Sequence, residues 1–127
     1  MKISIELKGR YKSNPDAVKF FAAHARLLEK TMLKLSQKLK FKLPRIIVLR
    51  PFYWKGKITP CYGRVLWEHR DYDHFEVLLT YEHLIQIEDR GKDTLIHEAC
   101  HIADMLTNRK MGHGKTWQKI YADYRPK

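Results

Sequence analysis

His97, Glu98 and His101 are the residues of this chain whose types and spacing could do chemistry together. They stand as H-E-x-x-H within the run Lys92 to Arg109, KDTLIHEACHIADMLTNR. Apolar residues recur there at Leu95, Ile96, Ala99, Ile102, Ala103 and Leu106, a helical period and not a strand alternation. Asp93 or Thr94 is expected to cap the helix, and no Gly or Pro interrupts it before Gly112. On such a helix His97 and His101 stand one turn apart on one face, close enough to share a metal ion. Glu98 points about 100° round from His97, beside such an ion and not on it. Two imidazoles on an ion, with a carboxylate placed to take a proton from water, is the arrangement of a zinc hydrolase.

A catalytic zinc usually takes three protein ligands and leaves a fourth position for water. A metzincin spacing would require Gly at position 104 and His at 107, where the chain has Asp104 and Thr107, and no Glu follows Glu98 to serve as a thermolysin-like ligand. Asp104 is on the correct helix face but about 10 Å along the axis from His97, too far for its short side chain. Asp123 lies in a separate Tyr-flanked segment. His113 remains. It sits in Gly112-His113-Gly114, where two glycines let the backbone turn sharply and return an imidazole to the helix. A histidine pair on an amphipathic helix would also suit an ordinary surface. The helical context and the glycine-flanked third histidine together point to metal.

HEACH, MGHG and Trp117 together resemble the SprT-like (Spartan-type) metalloproteases. That family's pattern is HExxH, a short variable segment, then a G-H-G turn followed by an aromatic residue opening a helix. The resemblance also takes in the segment from Cys61-Tyr62-Gly63 to Leu84, about the C-terminal half in all. It implies that His97, His101 and His113 bind Zn2+, that Glu98 is the general base, that substrates are proteins and that the fold is zincin-like. Many relatives carry a zinc ribbon or other DNA-binding module after the protease core. The sequence ends at Lys127, so a single domain over residues 1–127 without such a ribbon is expected, and any contact with DNA falls to the core itself.

The elements that must position these residues can be read in order. Ile3, Ile5 and Leu7 alternate with polar residues as a short strand. Ser13-Asn14-Pro15-Asp16 starts a helix running from about Pro15 to Leu39, with Val18, Phe21, Ala25, Leu28, Met32, Leu35 and Leu39 as its apolar stripe. Ile46 to Leu49 is a buried strand between Pro44 and Pro51. Cys61 to Trp67 and His74 to Thr80 read as an antiparallel hairpin, Tyr81 to Glu88 as a short helical connection, and Lys115 to Tyr124 as a closing helix. The expected fold is α+β: a zincin-like minimal core with a long N-terminal helix, a small, mostly antiparallel sheet, the HExxH helix and the closing helix. His69, His74 and His83 lie in or beside the hairpin, and surface positions are expected for them.

Composition fits one globular domain large enough to build its own core. Cys61 and Cys100 are the only cysteines and form no disulfide framework; Cys100 is read as a small packing residue. The first ten residues do not resemble a signal peptide, and no apolar run approaches the roughly 20 residues of a membrane span. A monomer in the cytoplasm, or the nucleus of a eukaryotic host, follows as the expectation: not secreted and without a membrane partner.

The net charge of +11 is unevenly spread. Residues 1–57 carry fifteen Lys and Arg against Glu6, Asp16 and Glu29 only, while the remainder is close to neutral. Such asymmetry suits a polyanionic partner, most simply nucleic acid. With the family resemblance, the expected partner is single-stranded or junction-like DNA. Lys19, Arg26, Lys30, Lys34 and Lys38 of the first helix are the candidate phosphate contacts, since Glu29 alone cannot pair them. Trp54, Lys55 and Lys57, within FYWKGK, combine a stacking aromatic with cations and are candidate contacts to unpaired bases. Two other functions fit less of the sequence. One is a nucleic-acid-binding module with a structural or vestigial zinc; the other is a processing protease with no nucleic acid.

Overall fold

A computed structural model of the protein describes residues 4–7, 14–51, 53–54, 57–58, 63–66, 72–110 and 112–124. The long helix α1 spans Pro15–Leu39. Asn14 caps it, its side chain accepting from Asp16 N at 3.1 Å and Ala17 N at 3.2 Å, with Pro15 in the first turn where no N–H is needed. It ends where Lys40 turns left-handed (φ 59°) and its N–H donates to Ser36 O at 2.8 Å. Ser13, the first residue of the expected helix start, lies outside the described residues.

The buried face of α1 is rotated from the stripe read in the sequence. Ala17, Phe20, Phe21, His24, Leu28, Thr31, Met32 and Leu35 face the core, whereas Val18 is exposed and Ala25 and Leu39 are only partly covered. The helical period through Ala17, Phe20 and His24 leaves Val18 about 100° off the face. A histidine and a threonine on that face hid it from a hydrophobicity pattern. Thr31 satisfies its hydroxyl on Leu27 O at 2.8 Å.

Strand β1 (Ser4–Leu7) pairs parallel with β2 (Ile46–Pro51), Ser4 opposite Ile46. Tyr53–Trp54 (β3) and Lys57–Ile58 (β4) form a separate antiparallel pair. Strand β5 (Gly63–Leu66) pairs antiparallel with β6 (His74–Leu79), and β6 pairs parallel with β2. The four-stranded sheet therefore has the order β1-β2-β6-β5 and is mixed. This corrects the expectation of a mostly antiparallel sheet. A strand, a long helix and a second apolar strand in succession make a crossover unit, and a crossover joins parallel strands. Consecutive Ile47, Val48 and Leu49 are all buried, as an inner parallel strand requires.

The four-residue α2 (Tyr81–Leu84) leads through turns to α3 (Lys92–Asn108), and α4 (Lys115–Tyr124) closes the fold. Helix α3 packs against α1, β5 and α4 and is buried on nearly every side. Ala99, Cys100 and Ala103, all fully buried, let the neighbouring elements approach closely. Its start is set by backbone geometry. Arg90 (φ 56°) and Gly91 (φ 87°) are both left-handed, and a Cβ on Gly91 would meet Leu84 Cδ1 at 2.9 Å. Neither Asp93 nor Thr94 is the cap: Asp89 accepts from Gly91 N at 2.9 Å and Asp93 N at 3.0 Å. Buried His24 on α1 holds the same turn, with Nε2 2.8 Å from Arg90 O and Nδ1 2.8 Å from Phe20 O. No described helix is long and apolar enough to cross a membrane.

Candidate metal centre

Helix α3 presents His97 and His101 one turn apart, and the Gly112-His113-Gly114 turn brings His113 over them. Gly112 has φ 128°, a conformation that disfavours a side chain. Gln118 donates to His113 O at 2.7 Å and fixes the turn to the first part of α4. The Nε2 atoms stand 3.0 Å (His97 to His113), 3.2 Å (His97 to His101) and 3.2 Å (His101 to His113) apart. Three nitrogens of a tetrahedral zinc, each at about 2.0–2.1 Å, would lie about 3.3–3.4 Å apart. The imidazoles are thus spaced to fit one such ion.

Their chemistry fits as well. Burial, and then the charge of His113, holds His97 below the ordinary imidazole value. Burial first, then the charges of His97 and His113, pushes His101 down to about 4. Neutral imidazoles with free lone pairs are what a metal requires. No other group of His, Cys, Asp or Glu among the described residues gathers three ligand atoms this closely. Asp104 is buried and accepts from Asn108 Nδ2 at 2.9 Å; exposed Asp123 pairs with Lys38 at 2.7 Å. The two carboxylates weighed against His113 thus stand apart from the cluster.

Glu98, 4% exposed, follows His97 in the helix, and burial pushes its carboxyl up to about 7. Burial, and then the charge of Asp93, pushes the Cys100 thiol up to about 12, so Cys100 offers no thiolate near neutral pH.

An aromatic stack that the sequence reading did not foresee lies beneath the imidazoles. The Trp117 ring is 4.6 Å from His97, 5.0 Å from His101 and 4.6 Å from His113, centre to centre. Its indole N–H donates to His97 O at 3.4 Å. Tyr121 stacks on Trp117 at 4.9 Å and donates its hydroxyl to Asp93 Oδ1 at 2.5 Å. The four-residue spacing of Trp117 and Tyr121 was the available signal.

A family model described as the SprT-like family matches residues 28–125. The chain belongs to the SprT-like family. The match reaches beyond the C-terminal half in which the motifs lie and takes in the second half of α1. Members of this family are metalloprotease-like, which agrees with three histidines able to hold a metal ion. No curated protein sequence matched the chain. No solved structure matched it.

The remaining candidates of this SprT-like chain are the five cations of α1, Trp54 in β3, Lys57 in β4 and Lys55. Lys19, Arg26, Lys30, Lys34 and Lys38 are all exposed on α1. None of the first four makes an ion pair with another described residue. Arg26, Lys30 and Lys34 line, with Glu29, Leu33 and Gln37, an open groove of about 300 Å3. Lys38 differs: its ammonium binds Asp123 at 2.7 Å and lies 5.4 Å from the centre of the Tyr124 ring, tying α1 to α4. Lys55, Cys61, Tyr62, Trp67 and His69 lie outside the described residues, as do the side chains of Trp54 and Lys57. His74 is exposed at the start of β6.

Proposed function

We propose that the protein is a zinc-dependent endopeptidase with a zincin-like core, acting on proteins associated with or crosslinked to DNA. The observation that carries the peptidase reading is the set of three Nε2 atoms 3.0–3.2 Å apart, with a buried carboxylate at the helix position after His97. His97, His101 and His113 would hold the zinc, which supplies Lewis acidity toward a scissile carbonyl and toward water. The Glu98 carboxylate takes a proton from the attacking water and delivers it to the departing amine nitrogen. In the metal-free protein burial raises this carboxyl to about 7, the direction that makes it a stronger base. The Trp117 ring excludes water from the underside of the imidazoles and holds them in orientation.

The DNA-associated substrate class is supported by the exposed cations of α1 and the charge imbalance along the chain. The test is to assay zinc content first, then cleavage of a DNA-bound protein with and without single-stranded DNA. One zinc per chain with cleavage stimulated by DNA is expected. Zinc content and cleavage that ignores DNA would retain the peptidase and remove the DNA-associated substrates. Binding of DNA by a zinc-loaded protein that cleaves nothing would leave a binding module.

A further inference from the structure

Two of the three imidazoles stand on one rigid helix, whereas the third arrives on a glycine-flanked turn that α4 holds in place. The stability of the triad therefore depends on how α4 is fixed to α3. Besides the Trp117 indole bond to His97 O at 3.4 Å, the contacts that fix it run through Tyr121. Tyr121 lies with its ring 4.9 Å from Trp117, nearly parallel to it at 15°, and 5.6 Å from His97. Its hydroxyl meets Asp93 Oδ1 at 2.5 Å, the length of a charge-assisted O–H···O bond. Asp93 is itself held in the first turn of α3, its backbone N–H bound to Asp89. A path of direct contacts thus runs from the start of α3 through Tyr121 to Trp117, and from Trp117 to all three imidazoles.

We propose that Tyr121 is a positioning residue for the metal centre. By bonding Asp93 and stacking on Trp117 it fixes the placement of α4 on α3, and so fixes His113 over His97 and His101. This rests on the reading that these three histidines hold a metal. Neither Tyr121 nor Asp93 belongs to the histidine cluster. The charge of Asp93 also acts on His97, so Tyr121→Phe, which changes no charge, is the variant that reads placement alone. Geometry assigns the hydroxyl and the ring separate parts. The ring supports Trp117, and the hydroxyl sets the register between the helices. Removing the hydroxyl alone leaves the stack and lets α4 shift, which weakens a ligand set without removing a ligand.

The test measures zinc affinity of the full chain by chelator competition for wild type, His113→Ala, Tyr121→Phe, Asp93→Asn and the Tyr121→Phe/Asp93→Asn double variant. Circular dichroism checks that each is folded at the assay temperature. Visible absorption of the cobalt(II)-loaded forms reports ligand geometry. Tyr121→Phe and Asp93→Asn should each weaken zinc about ten-fold, the lower range for losing a group that orients a metal-binding histidine. Both should shift the cobalt bands, and the double variant should be no weaker than the worse single one, because the two side chains share one bond. Wild-type zinc affinity in both single variants, with His113→Ala strongly weakened, overturns the positioning role and leaves the metal reading intact. Additive losses in the double variant also overturn it, since the two groups would then act separately. Absence of zinc binding by wild type, or unchanged binding by His113→Ala, overturns the metal reading and this inference with it.

Discussion

The two chemically conspicuous regions of this protein are built in opposite ways. Around α3 and α4, imidazoles, indole, phenol and carboxylate touch one another at fixed distances, and several are buried. On the outer face of α1, Lys19, Arg26, Lys30 and Lys34 stand in solvent without described ionic partners. The first region is specified by geometry, so a single lost atom should matter. The second is specified by charge, so only the number of cations should matter and ionic strength should erase its effect.

The largest contrast should come from Glu98→Gln. This change keeps side-chain size but removes the base, and cleavage should fall on the order of 100-fold or more while zinc content stays unchanged. Wild-type-like cleavage would place the activity elsewhere.

The same variant should behave differently as a folded protein without metal. Burial raises the Glu98 carboxyl from 4.5 to about 7. Below its ordinary value the group is protonated in both folded and unfolded chains and costs nothing. As pH rises through that window the unfolded chain releases the proton first, so the fold is progressively penalised. Metal-free Glu98→Gln should therefore exceed wild type in stability by about 3 kcal/mol above about pH 7, with the gap closing toward about pH 4. His101, pushed down to about 4, loses stability on acidification in both proteins and cancels in the comparison. Urea melts with chelator at the two ends of this range decide it; an equal gap at both would reject burial as the cause.

Gly91→Ala probes the same region through backbone alone. The positive φ and the 2.9 Å approach to Leu84 Cδ1 predict a loss of about 1–3 kcal/mol in urea melts. A neutral result would show that Leu84 and the turn yield easily. The charged face should respond most gently. Replacing Arg26, Lys30 and Lys34 by Gln should flatten the salt dependence of single-stranded DNA binding by roughly two log units per log unit of salt. Lys38→Gln should barely change that slope, because its ammonium is held by Asp123. Equal effects of Lys38 and Lys34 in single variants would make the outer face one undivided surface.

Most of what the sequence made legible was local. Asn14 and Pro15 mark the start of α1, the apolar period outlines α3, and the two glycines allow His113 to return to the HExxH face. Non-local facts were harder to read. Parallel pairing of β1 with β2 depends on recognising α1 as a crossover, and the buried polar residues His24 and Thr31 blurred the face that α1 turns inward. Asp89 caps α3 from two residues before Gly91, which no period within the helix reveals. The Lys38–Asp123 pair and the Tyr121–Asp93 bond join residues distant in sequence. Such bonds have no signature until the helices are placed.

The chain separation of these contacts bears on how the protein folds. His97 and His113 are 16 residues apart, whereas the bond from His24 to Arg90, which anchors the start of α3 to α1, spans 66. Closing the longer loop costs about 1.3 kcal/mol more in chain entropy than closing the shorter one. The histidine triad is therefore a low-contact-order assembly inside a higher-contact-order fold, able to form in a helical hairpin before the parallel strands find their register. Docking onto α1 comes later on this route. An isolated segment 92–124 would then show transient approach of the three histidines, while its lasting order awaits the first helix.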